Sequence, residues 1–73
     1  MKTPIDQNKL SDMVRSKRGS RGLRDIVLDI GEVSAATVSR IERGACPDLM
    51  TFILLCRWLR VSPEEFIIWD FDR

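Results

Sequence analysis

Large apolar residues in this chain recur at helical spacing in successive short windows. Leu10, Met13 and Val14, followed by the aliphatic stem of Lys17, make a first stripe; Leu23, Ile26, Val27 and Ile30 make a second, at i, i+3, i+4 and i+7. The third window is sparse. Between Ser34 and Gly44 only Val38 and Ile41 are large and apolar, three apart on one face. The fourth is crowded: Leu49, Phe52, Ile53, Leu55, Cys56 and Leu59 suit a core, while Met50, Leu54 and Trp58 widen the apolar arc beyond what one face needs. A fifth window, residues 61–71, mixes Phe66, Ile67, Ile68, Trp69 and Phe71 with acids. The pattern predicts an all-α chain of five short helices.

Punctuation between the windows supports those bounds. Thr3-Pro4-Ile5-Asp6 reads as a helix start, with proline in the first turn, and the first helix ends near Arg18. Gly19-Ser20-Arg21-Gly22 then makes a basic connector, since two glycines in four residues favour a turn. Gly31 stops the second helix. Ser34 is a natural N-cap for the third, Arg43 suits its negative C-terminal end and Gly44 its left-handed exit. Cys46, preceding Pro47, is pushed into an extended link, after which Asp48 caps helix four; Ser62 and Pro63 open helix five.

Length and composition narrow what such a bundle can do. Seventy-three residues predict one domain over 1–73, so small that helix packing or dimerisation must support the core. A large catalytic pocket is not expected. The chain has no histidine and two cysteines, Cys46 and Cys56, in separate elements, which leaves no zinc-type ligand set, no pairing of nucleophile with general base, and no implied cofactor. No apolar run approaches the roughly 18 residues of a membrane span and no secretory leader opens the sequence, so the expected compartment is a reducing cytoplasm. Net charge is only +1, but residues 1–24 carry seven cations against two acids, and the remainder five cations against nine acids. A basic front and acidic back would orient the molecule on a phosphate backbone, although charge runs are often only solvated faces.

The sparse third helix carries the sharpest chemistry. Its outward residues, Ala35, Ala36, Ser39, Arg40 and Arg43, are small, hydroxyl-bearing or cationic. Such a surface fits the major groove, where small residues allow close approach and an arginine can fork onto a guanine edge.

With these residues in place, the chain resembles the helix-turn-helix regulators of the phage-repressor and Cro-like group, the XRE family. The carrying residues are Val27 and Gly31, then Val33-Ser34, the run Thr37-Val38-Ser39-Arg40-Ile41-Glu42-Arg43-Gly44, and downstream Pro47-Asp48-Leu49 with Leu55, Leu59, Val61-Ser62 and Phe66. One departure is Glu32, which stands between Gly31 and Val33 where the family more often puts an apolar residue directly after the glycine. Val27 also replaces the commoner alanine. The turn is therefore expected to be one residue longer, which leaves the angle between the two helices open.

The resemblance implies a lambda-repressor-like fold with the motif at about residues 23–43 and helix three as the reading helix. It places Ser34, Ala35, Ala36, Thr37, Ser39 and Arg40 at base edges, and Lys17, Arg21, Gly22, Leu23, Arg24 and Arg43 at phosphates. It also pairs Glu42 with an arginine of helix one, either Arg18 or Arg15. Single residues keep blander alternatives: Arg40 reads a base, clamps a phosphate or is a solvated charge, and Ala35 and Ala36 are in any case good helix formers.

The expected partner is double-stranded DNA, bound by a bacterial or phage-encoded repressor on a palindromic operator. A homodimer through Met50, Leu54, Trp58, Ile68 and Trp69 is expected, since these residues either cover one another within the monomer or meet a second copy. A rival reading makes the chain an antitoxin-like interaction module whose apolar tail neutralises a partner while the motif serves autoregulation.

Overall fold

The computed structural model describes residues 4–68. Its elements follow in the order α1 (Gln7–Arg18), α2 (Leu23–Ile30), α3 (Ala35–Glu42) and α4 (Leu49–Leu59), with a 3-10 turn at Pro63–Phe66. Among the described residues the only extended pairing is an isolated antiparallel bridge between Ile5 and Ile67. The all-α expectation therefore holds with four α-helices.

Each α-helix begins and ends where local chemistry allows. Asp6, Ser34 and Asp48 accept from the backbone N–H groups of Lys9, Thr37 and Thr51 at 3.0, 3.1 and 2.9 Å, so three helices are capped by a side chain. Gly31 closes α2 at φ +123°, its N–H bonded to the Val27 carbonyl at 3.1 Å; only glycine adopts that backbone without strain. The four residues 31–34 then turn the chain from α2 into α3.

Every element feeds one core. Leu10 and Val14 of α1, Ile26 and Ile30 of α2, Val38 and Ile41 of α3, and Leu55 of α4 are almost completely buried, with Phe66 closing one end. Phe66 meets Phe52 edge to face, ring centroids 6.0 Å apart. Because Val38 and Ile41 are sunk in this core, the opposite side of α3 must face outward.

Three boundary expectations change. Helix one begins at Gln7 with Asp6 as its cap, because residues 4–6 run alongside the segment that leaves the 3-10 turn: the Asp6 N–H bonds the Phe66 carbonyl at 2.6 Å and the Ile68 N–H bonds the Pro4 carbonyl at 2.7 Å. Thr3 lies outside the described residues. For the same reason the fifth helix is a single 3-10 turn. Ser62 caps it and Pro63 opens it as expected, but Ile67 is already extended, its backbone committed to the bridge with Ile5. Trp69 and Phe71, placed on that helix by the sequence pattern, also lie outside the described residues.

The third correction concerns α4. Leu54 and Trp58, assigned to a partner surface, are 9% and 8% exposed and belong to the core. Leu49, Met50 and Ile53 are instead 73%, 65% and 48% exposed. The helix is thus rotated from its expected setting, because the arc Thr51, Leu54, Leu55, Trp58 faces inward together with Phe52 and Cys56. No helix among the described residues is long and apolar enough to cross a membrane.

Candidate nucleic-acid interface

The reading face starts from the cap of α3. Ser34 Oγ accepts from the Thr37 N–H and donates to Thr37 Oγ1 at 2.9 Å, while Arg40 Nη2 donates to the same oxygen at 3.4 Å. With two donors on its oxygen, the Thr37 hydroxyl has its own hydrogen left to offer outward. Ser34, Ala36, Arg40 and Arg43 are exposed, and Ala35, Thr37 and Ser39 are half-buried along the same helix. The six residues expected at base edges therefore lie together on one stretch of α3, and neither Arg40 nor Ser39 is turned into the core. Beside them a depression of about 250 Å³ runs from Thr37 and Arg40 to Cys46, Pro47 and Asp48 on the link to α4.

What holds this helix in place comes from α1. Glu42 is nearly buried, and Arg18 grips both its oxygens, Nε to Oε2 at 2.7 Å and Nη2 to Oε1 at 2.9 Å. These hydrogen bonds, helped by the carboxylate's charge, push the Arg18 guanidinium pKa further up, so it stays charged at any working pH. The choice between the two arginines resolves in favour of Arg18 as the ion-pair partner. Arg15 instead donates to the backbone carbonyl of Glu42 and pairs with Asp12. That carbonyl lies at the C-terminal end of α3, where free acceptors collect and a cation is favourable. Sequence reasoning missed this second role, because spacing does not tell a carboxylate partner from a carbonyl partner.

The residues expected at phosphates fall into two groups. Arg24 and Arg43 are exposed and have no ion pair among the described residues, and Gly22 and Leu23 stand at the open N-terminus of α2. Lys17 and Arg21 are engaged within the fold. Lys17 donates to the Trp58 carbonyl with its ammonium 5.1 Å from the ring centroid, and Arg21 pairs with Asp29 at 2.7 Å. Lys17 thus turns to the end of α4 and Arg21 to α2, and the two line a groove together with Arg57, Trp58 and Arg60.

The link residues add one acid and one thiol. Hydrogen bonds from the Thr51 hydroxyl and N–H hold the Asp48 carboxyl below its ordinary range, so it stays ionised beside Arg40's depression. Cys46 is exposed and lines that depression, whereas burial pushes the Cys56 thiol up. Among the described residues no group of three potential ligands could hold a metal ion.

Comparison with known proteins agrees with this geometry over most of the chain. The family model described as helix-turn-helix matches residues 14–66, from the middle of α1 to the end of the 3-10 turn. No curated protein and no solved structure matches the chain.

Proposed function

Because the chain belongs to the XRE-type helix-turn-helix family of DNA-binding transcription regulators, we propose that it is a sequence-specific repressor, of bacterial or phage origin, that binds a palindromic operator as a dimer. The observation that carries this reading is the outward face of α3. Small residues there admit close approach to a base pair, and Arg40, steadied by Thr37, keeps most of its donors free for a guanine edge. Ala35 and Ala36 suit contact with a thymine methyl, and Ser34, Thr37 and Ser39 supply hydroxyls. Around this reader, Arg24, Arg43 and the amides at Gly22 and Leu23 are the phosphate contacts. Lys17 and Arg21 would add general electrostatic attraction, since both are engaged elsewhere.

Binding titrations on an operator and on scrambled duplex test the assignment. Arg40→Ala should cost about 1–3 kcal/mol on the operator and relax preference at one base pair, whereas Arg24→Ala should weaken all sequences alike and lower the salt slope by about 1. Equal losses on both duplexes for Arg40→Ala would make it a phosphate clamp. An unchanged Arg40→Ala affinity would remove the reading altogether.

Repression needs only occupancy of a promoter, and a dimer reads two half-sites about 34 Å apart, or a multiple of that distance. Its contact surface is assigned here to Leu49, Met50 and Ile53 with Ile68, in place of the buried Leu54 and Trp58. Ile53→Asp should convert a dimer to a monomer by sedimentation while leaving the thermal midpoint of the monomer nearly unchanged. The antitoxin-like reading keeps one supporting feature, this same apolar stripe, which a different protein could cover. It loses the base of its proposed docking tail, because Phe66 is fully buried.

A further inference from the structure

The outward stripe of α4 changes character along its length. Leu49, Met50 and Ile53 are apolar; one and two turns further on come Arg57 and Arg60, both exposed. Those two arginines face Lys17 at the end of α1, Arg21 on the connector and Asp29 on α2, around a shallow groove of about 310 Å³ floored by Trp58. Four cations thus surround one carboxylate in a chain whose whole net charge is +1.

Their arrangement is partly fixed in advance. Lys17 is held on the Trp58 carbonyl, and Arg21 by Asp29 at 2.7 Å and the Asp25 carbonyl at 3.3 Å. Arg57 and Arg60 have no ion pair among the described residues. Arg57 folds back toward the end of α2, its Nη2 3.7 Å from where a side chain on Gly31 would begin. Arg60 ends α4 as its C-cap in a left-handed backbone conformation, φ +61°, its N–H bonded to the Arg57 carbonyl at 3.2 Å, which sets it one turn beyond Arg57 at the rim of the groove. Like charges brought together without enough counter-charge mark a place where an anion would stabilise the fold.

We propose that this groove is a binding site for a phosphate-bearing anion, one presenting two or more neighbouring phosphate groups. Guanidinium groups meet phosphate oxygens two at a time, and a lysine adds a point charge, so three arginines and a lysine suit several phosphate oxygens at once. The net local charge of about +3 is matched by a di- or triphosphate and not by a single carboxylate. The groove admits little beyond the phosphates: the Trp58 ring is nearly buried and already carries Lys17 above it, which leaves no open aromatic face for a base. Arg40 and Arg43 do not line the groove, so the site is separate from the reading helix. Consecutive phosphates of a duplex flanking the operator and a free phosphorylated small molecule share this chemistry, and the experiment distinguishes them.

Trp69→Phe leaves Trp58 as the sole tryptophan and a reporter inside the site. In that background, inorganic tripolyphosphate should change Trp58 emission saturably, with equal ionic strength of sodium chloride giving no such change. Arg57→Gln with Arg60→Gln should raise the half-saturation at least tenfold. Asp29→Asn, which removes the competing carboxylate, should lower it several-fold, a gain that misfolding does not produce. A salt slope for duplex binding that is unaffected by the double variant assigns the site to a free anion, and a slope lowered by about 1–2 assigns it to flanking DNA. Tripolyphosphate binding that survives the double variant undiminished overturns the proposal, as does a silent Trp58 together with an unaltered slope.

Discussion

α3 and α4 reach the same core with opposite economies of apolar residues. α3 commits two large residues, Val38 and Ile41, and leaves the rest of its circumference to solvent. α4 has apolar residues almost all round and still exposes three of them. The sparse helix is the better-determined one. With only two residues able to pay for burial, its rotation about its own axis is fixed, and the Arg18–Glu42 and Arg15–Glu42 contacts hold its far end. The rich helix leaves several rotations nearly equal by pattern, and the shape of the space between α1, α2 and Phe66 decides among them.

The largest expected effect breaks this contrast inside α4 itself. Leu55 is completely buried, so Leu55→Ala should destabilise the fold by about 2–5 kcal/mol, read as the midpoint of urea unfolding. Two residues away, Ile53→Ala should change monomer stability by no more than about 0.5 kcal/mol, since the side chain is half in solvent. If the two variants cost the same at low protein concentration, the rotation of α4 described above is wrong.

A smaller effect sharpens the α3 side. Ser34→Ala removes the cap and should cost about 1 kcal/mol of stability. It also withdraws the donor to Thr37 Oγ1, which frees Thr37 to turn away from Arg40. Loss of operator preference should therefore accompany the stability loss, and Ser34→Asp, which restores a cap acceptor but no hydroxyl, should recover stability more fully than preference. Parallel recovery of both would show that the cap alone matters.

The same contrast explains what was legible in the sequence. Ser34, Gly31, Gly44 and Asp48 mark helix ends by local backbone chemistry, and all four act where they were expected. The single-faced stripes of α1 and α2 likewise give their buried sides directly, as Leu10, Val14, Ile26 and Ile30 show. Non-local pairing was not legible. Nothing in residues 61–68 signals that Ile67 would find Ile5 across the fold and cut the fifth helix to one turn. Nor does the sequence reveal that Lys17 would turn to the end of α4 and Arg21 to Asp29 of α2, because a cation's partner depends on which elements the core brings near it.

The weakest expected effect lies at the joint between the two helices, where Asp48 caps α4 on the border of Arg40's depression. Its carboxyl is held below the ordinary value, so the native state prefers the charged form and gains stability from it above an unfolded-state pKa near ~3.9. That gain is lost as pH falls through the native value, when the proton goes on and the bonds from Thr51 weaken. Asp48→Asn keeps a cap oxygen but no charge. The stability gap between the native chain and Asp48→Asn, followed by urea midpoints from pH 7 to pH 3, should be constant down to about pH 5 and begin to narrow below about pH 4, continuing to narrow as the pH falls further. A gap that does not narrow at all between pH 5 and pH 3 would assign the contribution of Asp48 to shape and not to charge, and α4 would then be anchored at its start by packing, as it is along the rest of its length.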